Sequence, residues 1–154
     1  MGISGIASRA IATFFGVGYL PKAPGTFGTL AALPLYLILR RFPAPLYCLF
    51  LGKLIVAGII ASGVQEKQWG PDPSRVVIDE VCGLLVTLIA RPKGFKEIAL
   101  GTALFRLFDI VKPPPIGIID RKVEGGIGIM ADDLAAGAIS ALILHLVRKR
   151  GWLS

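Results

Sequence analysis

Residues 76 to 90 read VVIDEVCGLLVTLIA, an apolar run interrupted by two adjacent carboxylates, Asp79 and Glu80. A run of this kind is buried in a protein core or in lipid. An isolated ionised carboxylate carried there is costly unless it is protonated, paired with a cation or bound to a metal. Any fold open to this chain must therefore give these two acids a partner.

Further apolar runs occupy about 30–39, 46–64, 97–111 and 132–147. The run 46–64 carries only Lys53 as a charge and is the best candidate to cross a bilayer. Gly58 and Ser62, four apart within it, offer a face for close helix packing. A fourteen- or fifteen-residue helix covers roughly 21 Å of a hydrocarbon layer roughly 30 Å thick, so the shorter runs need not all span. The β-branched stretches are brief, so no strand is expected. With 54 % hydrophobic and 18 % charged residues and a mean hydropathy of +0.70, the expected fold is all-α. It is a single domain over residues 1–154, a compact bundle of about five to six short hydrophobic helices, membrane-embedded or membrane-associated. Glycine and proline serve as breakers in this reading. GYLPKAPGTFGT (18–29) is then a structured loop with Thr26 and Thr29 as N-caps of the next helix. Gly125, Gly126 and Gly128 form a turn before a helix starting near Asp132.

The net charge of +7 is distributed in short clusters, Arg40-Arg41, Arg91-Pro92-Lys93 with Lys96, Arg121-Lys122 and Arg148-Lys149-Arg150, between apolar segments. That layout suits anionic lipid head groups and lacks the aromatic-interleaved stripe of a nucleic-acid binder, so no nucleic-acid partner is expected. Cys48 and Cys82 lie in apolar runs without metal-knuckle spacing and read as packed, reduced thiols.

All ten acidic residues fall between positions 66 and 133, and seven of them form four tight groups: Asp79-Glu80, Asp109, Asp120 with Glu124, and Asp132-Asp133. Oxygen donors with no clustered His or Cys point to a hard cation, and Mg²⁺ commonly shares its few carboxylates with waters and phosphate oxygens. Bases stand close by: Arg106 one helical turn before Asp109, Lys112 soon after it, and Arg121-Lys122 beside Asp120. The glycines at 125–128 allow backbone N–H groups to approach an anion. Each feature alone has a plain structural explanation, Arg106–Asp109 as an ion pair and Asp132 or Asp133 as a helix cap. Together, in so apolar a chain, they suggest a site. With one histidine, His145, no arginine near Cys82 and no phosphate-binding G-x-x-x-x-G-K-[ST], what remains is a metal-activated water attacking a phosphate.

The segments KAPGTFGTLAALP (22–34), VVIDEVCG (76–83) and FRLFDIVKPPPIGIIDRKVEGGIGIMADDLAAG (105–137) resemble the bacterial phosphatidylglycerophosphatase A family. The resemblance implies an all-α enzyme of the bacterial cytoplasmic (inner) membrane that uses Mg²⁺. Its substrate would be phosphatidylglycerophosphate, whose terminal phosphate is removed to give phosphatidylglycerol. Carried over by position, it supports Asp79, Glu80, Arg106, Asp109, Lys112, Asp120, Arg121, Gly125, Gly126, Asp132 and Asp133, and it adds the loop around Thr26. Two positions depart from the pattern: Pro114 makes a triple proline, and Glu124 precedes the Gly-Gly. The roles expected are Asp79, Glu80, Asp132 and Asp133 for metal, Asp109 and Asp120 for catalysis, and Arg106, Lys112, Arg121, Gly125, Gly126 and Thr26 for phosphate. Two other classes compete, a small helical transport or cation-binding protein with the acids along an ion path, and a non-catalytic α-domain that binds phosphorylated metabolites.

Overall fold

Seven α-helices and one 3₁₀ turn make up the computed structural model, which describes residues 3–152, and among these there is no strand. The helices are α1 (Ile3–Ala12), α2 (Pro24–Leu39), α3 (Ala44–Trp69), α4 (Ile78–Thr87), α5 (Phe95–Val111), α6 (Ile116–Lys122) and α7 (Gly125–Lys149), with the 3₁₀ turn at Val17–Tyr19. The all-α expectation holds, but α3 and α7 are long, at 26 and 25 residues. Both are long and apolar enough to cross a membrane, and only 22 % of the most apolar stretch of α3 is buried, against 50 % for α7.

α4 is the hub. Ile78, Val81, Cys82, Leu84 and Leu85 are all buried, so every face of this short helix meets a neighbour. Each such side chain removed from water contributes roughly 1.5–3 kcal/mol. Its closest partner is α7. A Cβ on Gly83 would stand 2.9 Å from the Asp133 carbonyl oxygen and 2.6 Å from Phe105 Cζ, while one on Gly137 would collide with the Gly83 carbonyl oxygen. The Thr87 hydroxyl donates to the Gly83 carbonyl of its own helix at 2.9 Å and lies 3.5 Å from the Gly137 carbonyl across the crossing. α3 crosses α7 in a similar way. A Cβ on Gly58 would lie 3.1 Å from Met130 Sδ, and Ser62 is buried.

Several boundaries differ from expectation, and one cause explains most of them. α2 begins at Pro24, so Thr26 and Thr29 lie inside it rather than capping it, and the Thr29 hydroxyl donates to the Gly25 carbonyl at 2.9 Å. α7 begins at Gly125, seven residues before Asp132. Most glycines in both stretches are contact points: Gly28 approaches Val77, Gly126 lies under the Ile59 carbonyl of α3, and Gly128 packs on the Val123 carbonyl, while Gly125, at φ +76, is the turn residue that opens α7. On α1, Ser8 and Ala12 form the buried stripe while Ile6 is exposed, and the Ser8 hydroxyl accepts from Gln65 Nε2 of α3 at 2.9 Å. Cys82 is packed in the core as expected, but Cys48 is exposed on α3.

Candidate active site

One end of the bundle brings together the start of α2, the start of α4, the last turn of α5, α6 and the first half of α7, around a cleft of about 550 Å³. α3 ends at this pole because Gly70, with φ +95, and the prolines 71 and 73 stop it. Asp79 and Glu80 then occupy the first turn of α4, where the positive end of the helix dipole favours carboxylates. α5 ends in Lys112, which caps it in the left-handed conformation (φ 48) just before three prolines that cannot continue a helix.

The cleft has two halves. In the first, Asp79, Glu80 and Asp133 each offer an oxygen, and the three lie within 4.8 Å of one another. Asp79 Oδ1, Glu80 Oε2 and Asp133 Oδ2 are buried and make no hydrogen bond. Burial and the neighbouring Glu80 hold the Asp79 carboxyl well above the usual carboxylate range, and Glu80 is raised as well, chiefly by burial. Asp109 adjoins this group from α5 and is ion-paired with Arg106, whose other terminal nitrogen, Nη2, donates to the Thr26 hydroxyl at 3.3 Å. Gly25 makes room for the acids: a Cβ there would strike Glu80 Oε1, so the positive N-terminus of α2 can abut that carboxylate.

In the second half the cation is built in. Lys112 Nζ donates at 2.6 Å to Asp120 Oδ1 and at 2.6 Å to Asp132 Oδ2. These partners raise the Lys112 ammonium above its ordinary value, and the Lys112 hydrogen bond lowers the Asp120 carboxyl. Adjacent residues on a helix project about 100° apart, so α7 sends Asp132 to the lysine and Asp133 to the unpaired acids.

Of the residues expected from the sequence, Asp79, Glu80, Asp109, Asp132, Asp133, Arg106, Lys112, Asp120 and Gly125 line the cleft. Arg121 is exposed beside Asp120, Thr26 reaches the site through Arg106, and Gly126 is turned toward α3. Of the four carboxylates expected to share a metal, three come together, and Asp132 is engaged by Lys112. Gly25 does not stand out in the sequence as a site residue. Its signal is the APG-T stretch, which reads as a loop but is the first turn of a helix pressed on an acid.

The three-acid group suits a hard divalent cation. Its donors are all oxygen, its inner oxygens have no protein partner, and oxygens about 2.1 Å from a shared cation can lie up to about 4.2 Å apart, so only small side-chain shifts would close the set. The same cleft is lined by Lys112 in the other half and by Arg106 beside Glu80, donors suited to phosphate oxygens.

The family model for phosphatidylglycerophosphatase A matches residues 10–148. The chain belongs to the phosphatidylglycerophosphatase A family. The Escherichia coli (strain K12) phosphatidylglycerophosphatase A is 40 % identical over 139 residues, covering 89 % of this chain and 81 % of that protein. The Haemophilus influenzae protein of the same name is 33 % identical over 141 residues, covering 90 % and 86 %. A Bacteroides thetaiotaomicron protein provisionally named a phosphatidylinositol-3-phosphatase is 42 % identical over 152 residues, covering 90 % and 91 %. No solved structure matches the chain. As a member of the phosphatidylglycerophosphatase A family, the chain is a phosphoric monoester hydrolase.

Proposed function

We propose that this chain hydrolyses the terminal phosphomonoester of phosphatidylglycerophosphate to phosphatidylglycerol and phosphate, in the bacterial cytoplasmic membrane and with Mg²⁺. The observation that carries the reading is the divided cleft, in which three carboxylates with buried, unpaired oxygens share one cavity with a lysine and an arginine. Asp79, Glu80 and Asp133 would hold the cation. Once bound there, Mg²⁺ supplies positive charge for phosphate oxygens and makes water more acidic.

The remaining steps belong to the side chains. Lys112 and Arg106 draw the phosphomonoester into the cleft and neutralise its oxygens, with Arg121 at the rim and the Gly125 backbone at the floor. Asp109, fixed by Arg106, orients the attacking water and accepts its proton. Asp120 and Asp132 aim the Lys112 ammonium. The acyl chains stay in lipid, which the exposed apolar residues of α2, α3, α5 and α7 suit, among them Ile38, Leu49, Val56, Ile60, Ile110 and Leu142. A cation path along the bundle is disfavoured because nine of the ten acids sit at or near one pole, with Glu97 alone at the other.

The test is phosphate release from phosphatidylglycerophosphate, phosphatidate and phosphatidylinositol 3-phosphate in mixed micelles, with Mg²⁺ or with EDTA. Release that prefers phosphatidylglycerophosphate and stops in EDTA is expected. Preference for the inositol lipid would transfer the reading to the activity in the Bacteroides relative's name, and equal release in EDTA would end the metal assignment.

A further inference from the structure

At the other end of the bundle the chemistry is reversed. α2 leads from Gly25 in the cleft to Arg40 over 16 residues, roughly 24 Å. α4 likewise leads from Asp79 and Glu80 to the turn before Arg91. Here Arg40, Arg41, Arg91 and Lys93 surround a second cavity of about 440 Å³ that no carboxylate lines. The acid of this pole, Glu97, is committed to Arg148 Nε at 2.9 Å and to the Gly94 amide at 3.3 Å. Among the described residues none of the four cations has an ion-pair partner.

The cavity is built rather than incidental. Buried Tyr36 donates its hydroxyl to the Pro92 carbonyl at 2.5 Å. Arg91 Nη1 donates to the Phe42 carbonyl at 2.7 Å and Arg40 Nη1 to the Lys93 carbonyl at 3.3 Å. Three long-range bonds thus tie the 91–93 turn to the end of α2 and the start of α3. They hold Arg91 in the left-handed region at φ 53, which a non-glycine residue adopts only when its surroundings impose it. The apolar part of the lining is Phe42, Pro43 and Ala90, and Ile38, Ile89 and Phe95, all exposed, lie within two residues of cavity-lining positions along the chain.

A fixed group of unpaired cations inside an apolar rim fits a phosphodiester with its acyl chains better than free phosphate, which would have no use for the rim. We propose that this cavity is a second lipid site, which takes the head-group phosphate of an acidic glycerophospholipid. A lipid held there is a different molecule from the one whose head group enters the cleft, and the site takes no part in hydrolysis.

The test is native mass spectrometry of the full chain in detergent with phosphatidylserine or phosphatidylcholine of matched acyl chains, neither of which carries a phosphomonoester. Phosphatidylserine should be retained about tenfold over phosphatidylcholine. Arg41→Gln with Lys93→Gln, at exposed positions whose side chains make no hydrogen bond to the fold, should bring the ratio close to one. The charge-keeping pair Arg41→Lys with Lys93→Arg should preserve it. Phosphate release at the cleft should stay within about twofold in both variants, so failure here is separable from failure of the catalytic reading. If the glutamine pair loses helicity, Lys93→Gln alone should still lower the ratio by severalfold. Equal retention of the two lipids, or full retention by a folded glutamine variant, would overturn the proposal. Displacement by millimolar inorganic phosphate would do so as well, because it would mark a free-phosphate site instead.

Discussion

The two halves of the cleft solve the same electrostatic problem in different ways. Asp120 and Asp132 share a cation that is part of the chain, the Lys112 ammonium at 2.6 Å from each. Asp79, Glu80 and Asp133 have no ion pair of their own, the nearby Arg106 being paired with Asp109, and one buried oxygen of each makes no hydrogen bond. A covalently attached counter-ion gives a permanent, fixed site for drawing in an anion. Unpaired buried carboxylates are stable only when protonated or when something exchangeable supplies the charge. On the function proposed above, the contrast separates a lysine half that would recognise phosphate from an acid half that would hold a cation.

The strongest way to break that division is to neutralise the acid half. Asp79→Asn and Asp133→Asn should each lower phosphate release by roughly a thousandfold or more. The metal-free protein should keep its helicity and melt no lower than the parent, because an unpaired buried charge has been removed. Near-normal turnover in both would mean that this half is only structural. On the other side, Lys112→Met should cost about a hundredfold in turnover while leaving Mg²⁺ binding by the acid half in place. It should also destabilise the protein, since Asp132 loses its buried partner. Calorimetric Mg²⁺ titration distinguishes the two: abolished binding in Lys112→Met would show that the halves are not separate.

α7 serves both halves through neighbouring residues, so its position against α4 has to be kept to within a fraction of an ångström. Gly83 and Gly137 set it. Gly83→Ala places a methyl 2.6 Å from Phe105 Cζ and 2.9 Å from the Asp133 carbonyl oxygen, and overpacking of this kind should cost about 1–3 kcal/mol. Gly83→Leu should cost more and reduce activity, although it makes the helix more apolar. Gly52→Ala on α3 meets nothing within 4 Å and should instead stabilise by up to about 1 kcal/mol. Equal effects from the two alanine variants in thermal melts would remove the close-crossing account of Gly83.

The glycines mark the limit of what is legible in the sequence. The apolar runs betray the helices, and the acids and bases of the site stand out because a carboxylate in such surroundings needs a reason. The breaker rule fails at 24–29 and 125–128 because glycine there makes room for a close neighbour, the Glu80 and Val77 side chains at Gly25 and Gly28 and the α3 backbone at Gly126. With the start of α7 misplaced, the division of the site is hidden too. Whether Asp132 or Asp133 faces Lys112 depends on the rotation of a helix whose first turn reads as a loop. The basic clusters at Arg40-Arg41 and Arg91–Lys93 are visible as charge, but Tyr36, which links them through Pro92, reads only as one more core aromatic.

The finest test is pH, since Asp79 and Glu80 on one side and the Lys112–Asp120 pair on the other contribute to stability with opposite sign. Asp79 and Glu80 have raised folded-state values, so between the ordinary carboxylate range near pH 4 and those raised values the native state binds more protons than the unfolded one. Stability of the metal-free protein must then fall as pH rises through that window. Asp120 is lowered, so its contribution is present above the ordinary carboxylate value and is lost only as pH falls below it. Lys112 is raised, so its contribution is lost only as pH rises past the ordinary lysine range. In EDTA, melts between about pH 5 and pH 8 should therefore decline as the Asp79 and Glu80 carboxyls give up their protons. Saturating Mg²⁺ should flatten or reverse the decline, because a cation binds the deprotonated carboxylates. Asp79→Asn should flatten it without metal. Stability in EDTA that climbs from pH 5 to pH 8 would mean that the three acids already have a partner within the chain, and the difference between the two halves would disappear.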